Sequence, residues 1–168
     1  LIGMGNIPQM VAHMMTAAFG VKVVGYDPFV PAEEAIRRGI EKVDTLEELL
    51  EQSDIVSIHA PLDENTLGLV NKEAFAKMKK SAILLNVGRG PIINEADLAE
   101  ALNNKTIAAA GLDVLSVEPM QEDNPLRGIK DSERLLITPH IAWAGVEARN
   151  RLMGIILGQI KEFFKAHE

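Results

Sequence analysis

Two hydrophobic rhythms alternate along the chain. Short, nearly continuous apolar runs occupy 21–26, 54–59, 82–87, 106–114 and 135–137. Their lack of polar alternation predicts strands covered on both faces, the habit of parallel sheets. Between these runs, apolar residues recur at three- and four-residue spacing. Ile7, Met10, Val11, Met14, Met15 and Ala18 predict a helix over 7–19 that stops at Gly20, with its methionines as core filler. Further helices are predicted over 31–39, after the Thr45-x-x-Glu48 capping box with Leu46, Leu49 and Leu50 inward, over 72–80, and over 94–102 behind an Asn94 cap. A last one spans 146–164, with an apolar stripe of Leu152, Ile156, Ile160 and Phe163.

Strands and helices that alternate with short joins predict an α/β fold. The expected form is a doubly wound parallel sheet of the Rossmann type, helices on both faces, in a single domain over 1–168. The stretch 116–133 breaks the rhythm, and a segment of that length without periodicity inside an α/β domain is usually functional or disordered.

The chain opens on Leu1-Ile2-Gly3-Met4-Gly5-Asn6-Ile7-Pro8. Two apolar residues that run into Gly-x-Gly and then into a helical pattern describe a strand turning tightly into a helix whose N-terminus can hold a phosphate. The third position of the motif carries Pro8, where Gly or Ala is usual. Proline lacks an N–H but suits a first helical turn, so its expected effect falls on helix–strand packing and ligand affinity. Only Leu1 and Ile2 precede the glycines, against the roughly five or six residues of an ordinary strand. The first strand therefore reads as truncated, and the chain as a piece of a longer polypeptide.

Asp27 closes the 21–26 run, about 20 residues beyond the turn, where a dinucleotide-binding unit places the acid for the adenine ribose hydroxyls. A turn-forming Asp before Pro28 is the alternative. No Arg follows within 27–30 to receive a 2′-phosphate, which favours NAD over NADP.

Composition limits the function classes. A formal charge of −7 without a basic cluster argues against nucleic acid or an anionic membrane surface as partner. No apolar run is long enough to span a membrane, and no signal peptide is visible. The absence of cysteine excludes disulfides and thiolate metal sites; no metal is expected, and the cytoplasm is the expected compartment.

Three side chains lie in loops that follow buried strands. Arg89 is flanked by Gly88 and Gly90, which let a ligand approach the backbone, and its guanidinium could grip a carboxylate with two hydrogen bonds. Glu118 lies in the long irregular stretch and His140 just after the last strand. If those two meet, the carboxylate raises the imidazole pKa and fixes its tautomer, giving a general acid–base near neutral pH. For each residue taken alone, a surface Arg, a solvated Glu and a capping His remain open readings.

Gly88-Arg89-Gly90 after an apolar strand, Gly111-Leu112-Asp113-Val114 followed by Glu118-Pro119, and Thr138-Pro139-His140-Ile141-Ala142-Trp143-Ala144 resemble the D-isomer-specific 2-hydroxyacid dehydrogenases in order and spacing. The resemblance covers that family's NAD-binding domain over essentially the whole chain. It implies an oxidoreductase moving a hydride between NAD(H) and C2 of a small 2-hydroxy or 2-keto acid. Arg89 would hold the substrate carboxylate, His140 would exchange the proton on the C2 oxygen, and Glu118 would pair with His140. Gly3, Gly5, Asn6 and Ile7 would meet the pyrophosphate and Asp27 the adenine ribose. Pro61 and Thr66 would border the cofactor, while Val87, Gly88, Arg89, Asp113 and His140 lie toward its nicotinamide end. His59, beside Pro61, is expected to matter through its backbone more than its side chain.

In the family this domain is inserted into a second, substrate-binding domain built from both ends of the polypeptide and absent here. The isolated chain is therefore expected to bind NAD without turnover. The stretches 113–119 and 140–144 look most like the glycerate dehydrogenase branch, which favours glycerate and hydroxypyruvate, or glyoxylate, as substrates. Glu118 departs from the similar formate dehydrogenase branch, which carries Gln there, and Gly145 replaces the Ser or Thr usual beside the active His. Family members are usually dimers, which implies a homodimer at full length. A non-enzymatic, NAD-sensing or corepressor-like partner-binding protein on the same fold is the other reading, because such corepressors look similar at Arg89, Glu118 and His140.

Overall fold

Ile2 stands in the middle of the sheet. The computed structural model describes residues 1–167, and in it Ile2 forms parallel bridges to Tyr26 on one side and Ile58 on the other. Its backbone is held by Ile2 N–H to the Ser57 carbonyl at 2.9 Å and by His59 N–H to the Ile2 carbonyl at 2.8 Å. β1 (Val24–Gly25) pairs with β2 (Glu41–Lys42). β3 (Ile55–Ile58), β4 (Ile83–Asn86), β5 (Ala109–Leu112) and β6 (Leu135–Ile137) pair in chain order, and every pairing is parallel. With Ile2 as the link, the order is β2-β1-Ile2-β3-β4-β5-β6, so the chain reverses its direction of travel across the sheet at Ile2. That is the Rossmann order, and ligands bind beyond the carboxyl ends of the strands at such a reversal. The Gly3–Gly5 turn emerges there.

Among the described residues the strands are connected by the α-helices α1 (Asn6–Phe19), α2 (Ala32–Arg37), α3 (Leu46–Gln52), α4 (Lys72–Lys77) and α5 (Glu95–Asn103), and α6 (Val146–Lys165) follows the last strand. Their starts follow from local chemistry. Thr45 Oγ1 accepts the Glu48 N–H and the Glu48 carboxylate takes the Asp44 N–H, satisfying donors that the first turn of α3 leaves open. Asn94 Oδ1 accepts from Ala96 and Asp97 at the start of α5. Gly20 ends α1 in the left-handed conformation at φ +63°, its N–H on the Thr16 carbonyl.

Alternating directions along the strands sort the core into two clusters. Val24, Val56, Ile58, Leu84, Ala110 and Leu112 point into the larger one and meet Leu49, Leu50, Phe75, Leu98 and Leu102 of α3, α4 and α5. Each of the valine, isoleucine, leucine and phenylalanine side chains contributes about 1.5–3 kcal/mol by leaving water. Met4, Ala12, Ala35 and Ile40 form the smaller cluster. It packs against the side of β1 where Gly25 has no side chain; a Cβ there would lie 2.6 Å from Ile40 Cγ2 and 2.7 Å from Met4 Sδ.

Several expectations are corrected. On α1 the buried residues are Pro8 and Ala12, whereas Ile7, Met10 and Met14 are more than half exposed, so those methionines are not core filler. Only a narrow seam of α1 meets the sheet, and small side chains fill it. Pro8, expected to disturb that seam, is part of it. Within the first unit the strands are covered unequally on their two faces: the paired Ile55 and Ile83 are 52% and 38% exposed, whereas Val56 and Leu84, which follow them, are fully buried. The 21–26 run contracts to β1, and β2 carries no hydrophobic run that could announce it. The irregular 116–133 stretch contains 3₁₀ turns at Pro125–Gly128 and Ser132–Arg134.

The chain divides into two compact units, 1–138 and 139–168. The second holds a corner at 139–145 and the twenty-residue α6, none of whose residues is buried. Among the described residues no helix is long and apolar enough to cross a membrane.

Candidate functional site

The glycine turn is shaped by two different demands. Gly3 sits at φ +89°, and a Cβ there would lie 2.9 Å from the Ala60 nitrogen, so backbone meets backbone. Gly5 precedes α1 at φ −71°, and a Cβ on it would meet nothing within 4 Å. The first glycine lets the chain turn, and the second leaves open space above the helix start. Helix geometry leaves the N–H groups of Asn6 and Ile7 without intrahelical partners, aimed along the positive end of α1. Pro8, the third residue of the helix, adds no donor.

Asp27 ties this turn to β1. Its Oδ2 accepts the Met4 N–H at 2.9 Å and its Oδ1 accepts the Phe29 N–H at 3.0 Å. The carbonyl of the buried Met4 is closed by Arg38, which donates Nη1–H to it and Nε–H to Glu34 at 2.8 Å. Glu34 also pairs with Arg37, and the two guanidinium groups hold its carboxyl below the usual range. Arg38 escapes a search for basic residues immediately after Asp27, because the fold rather than the chain brings it to the turn.

The loop after β3 is built against the same glycines. Ala60 backs Gly3, and its carbonyl oxygen would lie 3.2 Å from a Cβ on Gly88. Thr66 Oγ1 donates to the Pro61 carbonyl at 2.7 Å and accepts the Asp63 N–H at 2.8 Å, so this side chain ties the loop together. His59 Nε2 lies 2.9 Å from Ser57 Oγ, and its pKa is lowered by burial. Its side chain therefore has a defined place, beyond the backbone role expected of it.

Arg89 leaves the end of β4 on a turn shaped by Asn86. The Asn86 side chain is fully buried; its Oδ1 accepts the Gly88 N–H and its Nδ2 donates to the Arg89 carbonyl, both at 3.0 Å. Sequence reasoning passed over Asn86, although an amide closing an apolar strand was a usable signal. Val87 and Arg89 are exposed, and Arg89 Nη1–H rests on the Gly88 carbonyl at 2.8 Å. Gly90 is buried against the next loop: a Cβ on it would lie 2.0 Å from the Leu115 carbonyl carbon. Leu115 in turn donates its N–H to Glu118 Oε1 at 2.9 Å. Asp113 is 5% exposed, and its Oδ1 accepts from Thr138 Oγ1. Arg89, Asp113 and Glu118 thus share the carboxyl end of β4 and β5, within the first unit.

His140 belongs to the second unit and has a left-handed backbone, φ +54°. A non-glycine residue there costs on the order of 1 kcal/mol, and histidine is among those that tolerate it. The corner is fixed by Trp143 Nε1–H on the His140 carbonyl at 2.7 Å and Ala144 N–H on the Ile141 carbonyl at 2.9 Å. Gly145 then opens α6 without a side-chain cap.

Open space above Gly5, donors at the start of α1 and a carboxylate at the end of β1 fit a dinucleotide at the sheet's reversal point. The family model described as D-isomer specific 2-hydroxyacid dehydrogenase, NAD binding domain, matches residues 1–142. The chain is 47% identical over 165 residues to hydroxypyruvate reductase of Blautia hydrogenotrophica, covering 98% of this chain and 49% of that protein. It is 38% identical over 161 residues to (S)-sulfolactate dehydrogenase of Chromohalobacter salexigens, covering 96% and 51%. Among solved structures, the NAD-complexed D-isomer specific 2-hydroxyacid dehydrogenase of Lactobacillus delbrueckii ssp. bulgaricus superposes with a TM-score of 0.86 at 29% identity, covering 98% of this chain and 52% of that one. The chain spans about half the length of these curated relatives. By sequence and by fold it belongs to the D-isomer specific 2-hydroxyacid dehydrogenases, as their NAD-binding domain.

Proposed function

We propose that this chain is the NAD-binding half of an oxidoreductase that interconverts a small 2-keto acid and its 2-hydroxy acid, with hydroxypyruvate and glyoxylate the favoured keto substrates. The observation that carries the reading is the Asp27 carboxylate bonded to Met4 beside the open space at Gly5, at the strand-order reversal. Likeness to a hydroxypyruvate reductase supports the substrate class.

Gly3, Gly5, Asn6 and Ile7 would hold the pyrophosphate, and Asp27 the adenine ribose. Pro61 and Thr66 would border the cofactor, and Val87, Gly88 and Asp113 would line its nicotinamide end. NAD(H), when bound, supplies or accepts the hydride at C2. Arg89 grips the substrate carboxylate through its planar fork and orients C2. His140 gives its proton to the C2 oxygen in reduction and takes it back in oxidation, while Glu118 supports the charge that develops on the imidazole. The working protein is read as a cytoplasmic homodimer of chains about twice this length, in keeping with the share of its relatives that this chain spans.

The test is His140→Ala in the full-length enzyme, with hydroxypyruvate reduction followed by NADH absorbance. Turnover should fall by at least about a hundredfold while NADH affinity is retained. Unchanged turnover overturns the assignment. Tight NADH binding with no turnover of any 2-keto acid by the unmodified enzyme favours an NAD-sensing, partner-binding role instead.

A further inference from the structure

We propose that Glu95 is a positioning residue of the active site, whose carboxylate holds the Glu118 loop in register with the Arg89 loop. This rests on the reading above that Arg89 and Glu118 serve the reaction. Glu95 is the first residue of α5, just beyond the Arg89 turn, and is half-buried. Its two oxygens face two separate points of the irregular stretch. Oε1 accepts the Ser116 N–H at 2.6 Å, and Oε2 accepts from Asn124 Nδ2 at 2.8 Å. Glu118 lies between those points. Asn124 is itself buried, and its Oδ1 caps the following 3₁₀ turn by accepting the Leu126 N–H at 2.9 Å. One carboxylate therefore pins both ends of the segment that carries Glu118.

The same segment is pressed against the Arg89 turn without any side chain between them. A Cβ on Gly90 would lie 2.0 Å from the Leu115 carbonyl carbon and 2.4 Å from the Ser116 nitrogen. Leu115 then holds Glu118 Oε1 through its N–H. The linkage is short: Glu95 fixes Ser116, Ser116 carries Leu115, and Leu115 N–H sets one oxygen of Glu118. The anchor is firm at its own end, because Asn94 caps α5 and an acid in a helix's first turn is favoured by the helix dipole. The tie spans Glu118 and acts on the same stretch of backbone that meets the Arg89 turn.

The experiment compares Glu95→Ala, Glu95→Gln and Glu118→Gln in the full-length enzyme with NADH and hydroxypyruvate. Loss of Glu95 should lower kcat/KM about tenfold or more, since small misplacements of catalytic groups are costly. The limb of the pH–rate profile that Glu118→Gln displaces should move in the same direction, with NADH affinity unchanged. Glu95→Gln keeps one acceptor for Ser116 and should recover part of the loss, and it serves if Glu95→Ala folds poorly. A loss of thermal stability with an unmoved pH profile in both Glu95 variants overturns the inference while leaving the assignment of Glu118 intact. A pH profile that Glu118→Gln itself does not move overturns the role of Glu118, and the inference with it.

Discussion

The Met4 N–H donates to Asp27 Oδ2 at 2.9 Å, so the acid proposed to receive the ribose hydroxyls is also what holds the glycine turn closed. The two functions predict a linked loss. Asp27→Ala leaves a buried N–H without its acceptor, at about 1–3 kcal/mol of stability, and removes the ribose acceptor, weakening NADH by about tenfold or more. Asp27→Asn keeps one carbonyl oxygen for either Met4 or Phe29 and should fall between. Urea unfolding and an NADH fluorescence titration read the two effects separately. Retention of wild-type NADH affinity in Asp27→Ala would show that the ribose is bound elsewhere.

Gly3 and Gly5 should respond to alanine in opposite ways. At Gly3 a side chain is forced into a left-handed backbone and against the Ala60 nitrogen, both of which are main-chain problems that no rotamer relieves. Gly3→Ala is expected to cost about 1–3 kcal/mol. At Gly5 the backbone suits any residue and the new methyl meets nothing, so stability should change by less than about 0.5 kcal/mol. The same methyl enters the space proposed for the pyrophosphate, and NADH affinity should drop. A Gly5→Ala chain that unfolds like the wild type and binds NADH equally well places the pyrophosphate away from this turn.

What the sequence could reveal depended on the range of each interaction. The spacing from the glycine turn to Asp27 is set by one strand–helix–strand unit, so the two residues that the structure joins through the Met4 N–H were legible locally as a pair. The caps at Thr45 and Asn94 act within one helical turn and were equally visible. Periodicity found α1 but misjudged its buried face, because Pro8 and Ala12 fill a seam too tight for Met10 or Met14. Two-residue β2 is too short to leave a hydrophobic signature. Arg38 and Glu95 were invisible for another reason. Each acts on a backbone group of a loop distant in sequence, and contacts such as Gly90 on Leu115 exist only after the sheet has aligned neighbouring loops.

Acid should loosen the fold at His59 before it reaches any carboxylate. His59 is partly buried beside Ser57, and burial lowers its pKa from the ordinary 6.5. The unfolded chain therefore takes up a proton at a pH where the folded chain does not, so stability rises with pH across that interval. The loss begins as pH falls below about 6.5. Thermal unfolding from pH 8 to pH 5 should therefore show Tm falling in the wild type below pH 6.5. His59→Gln keeps a hydrogen-bonding partner for Ser57 without a titrating ring, and should lose part of that fall. Identical slopes below pH 6.5 in the two proteins would mean that His59 is protonated as readily in the fold as in the unfolded chain, and that its pairing with Ser57 is neutral to pH.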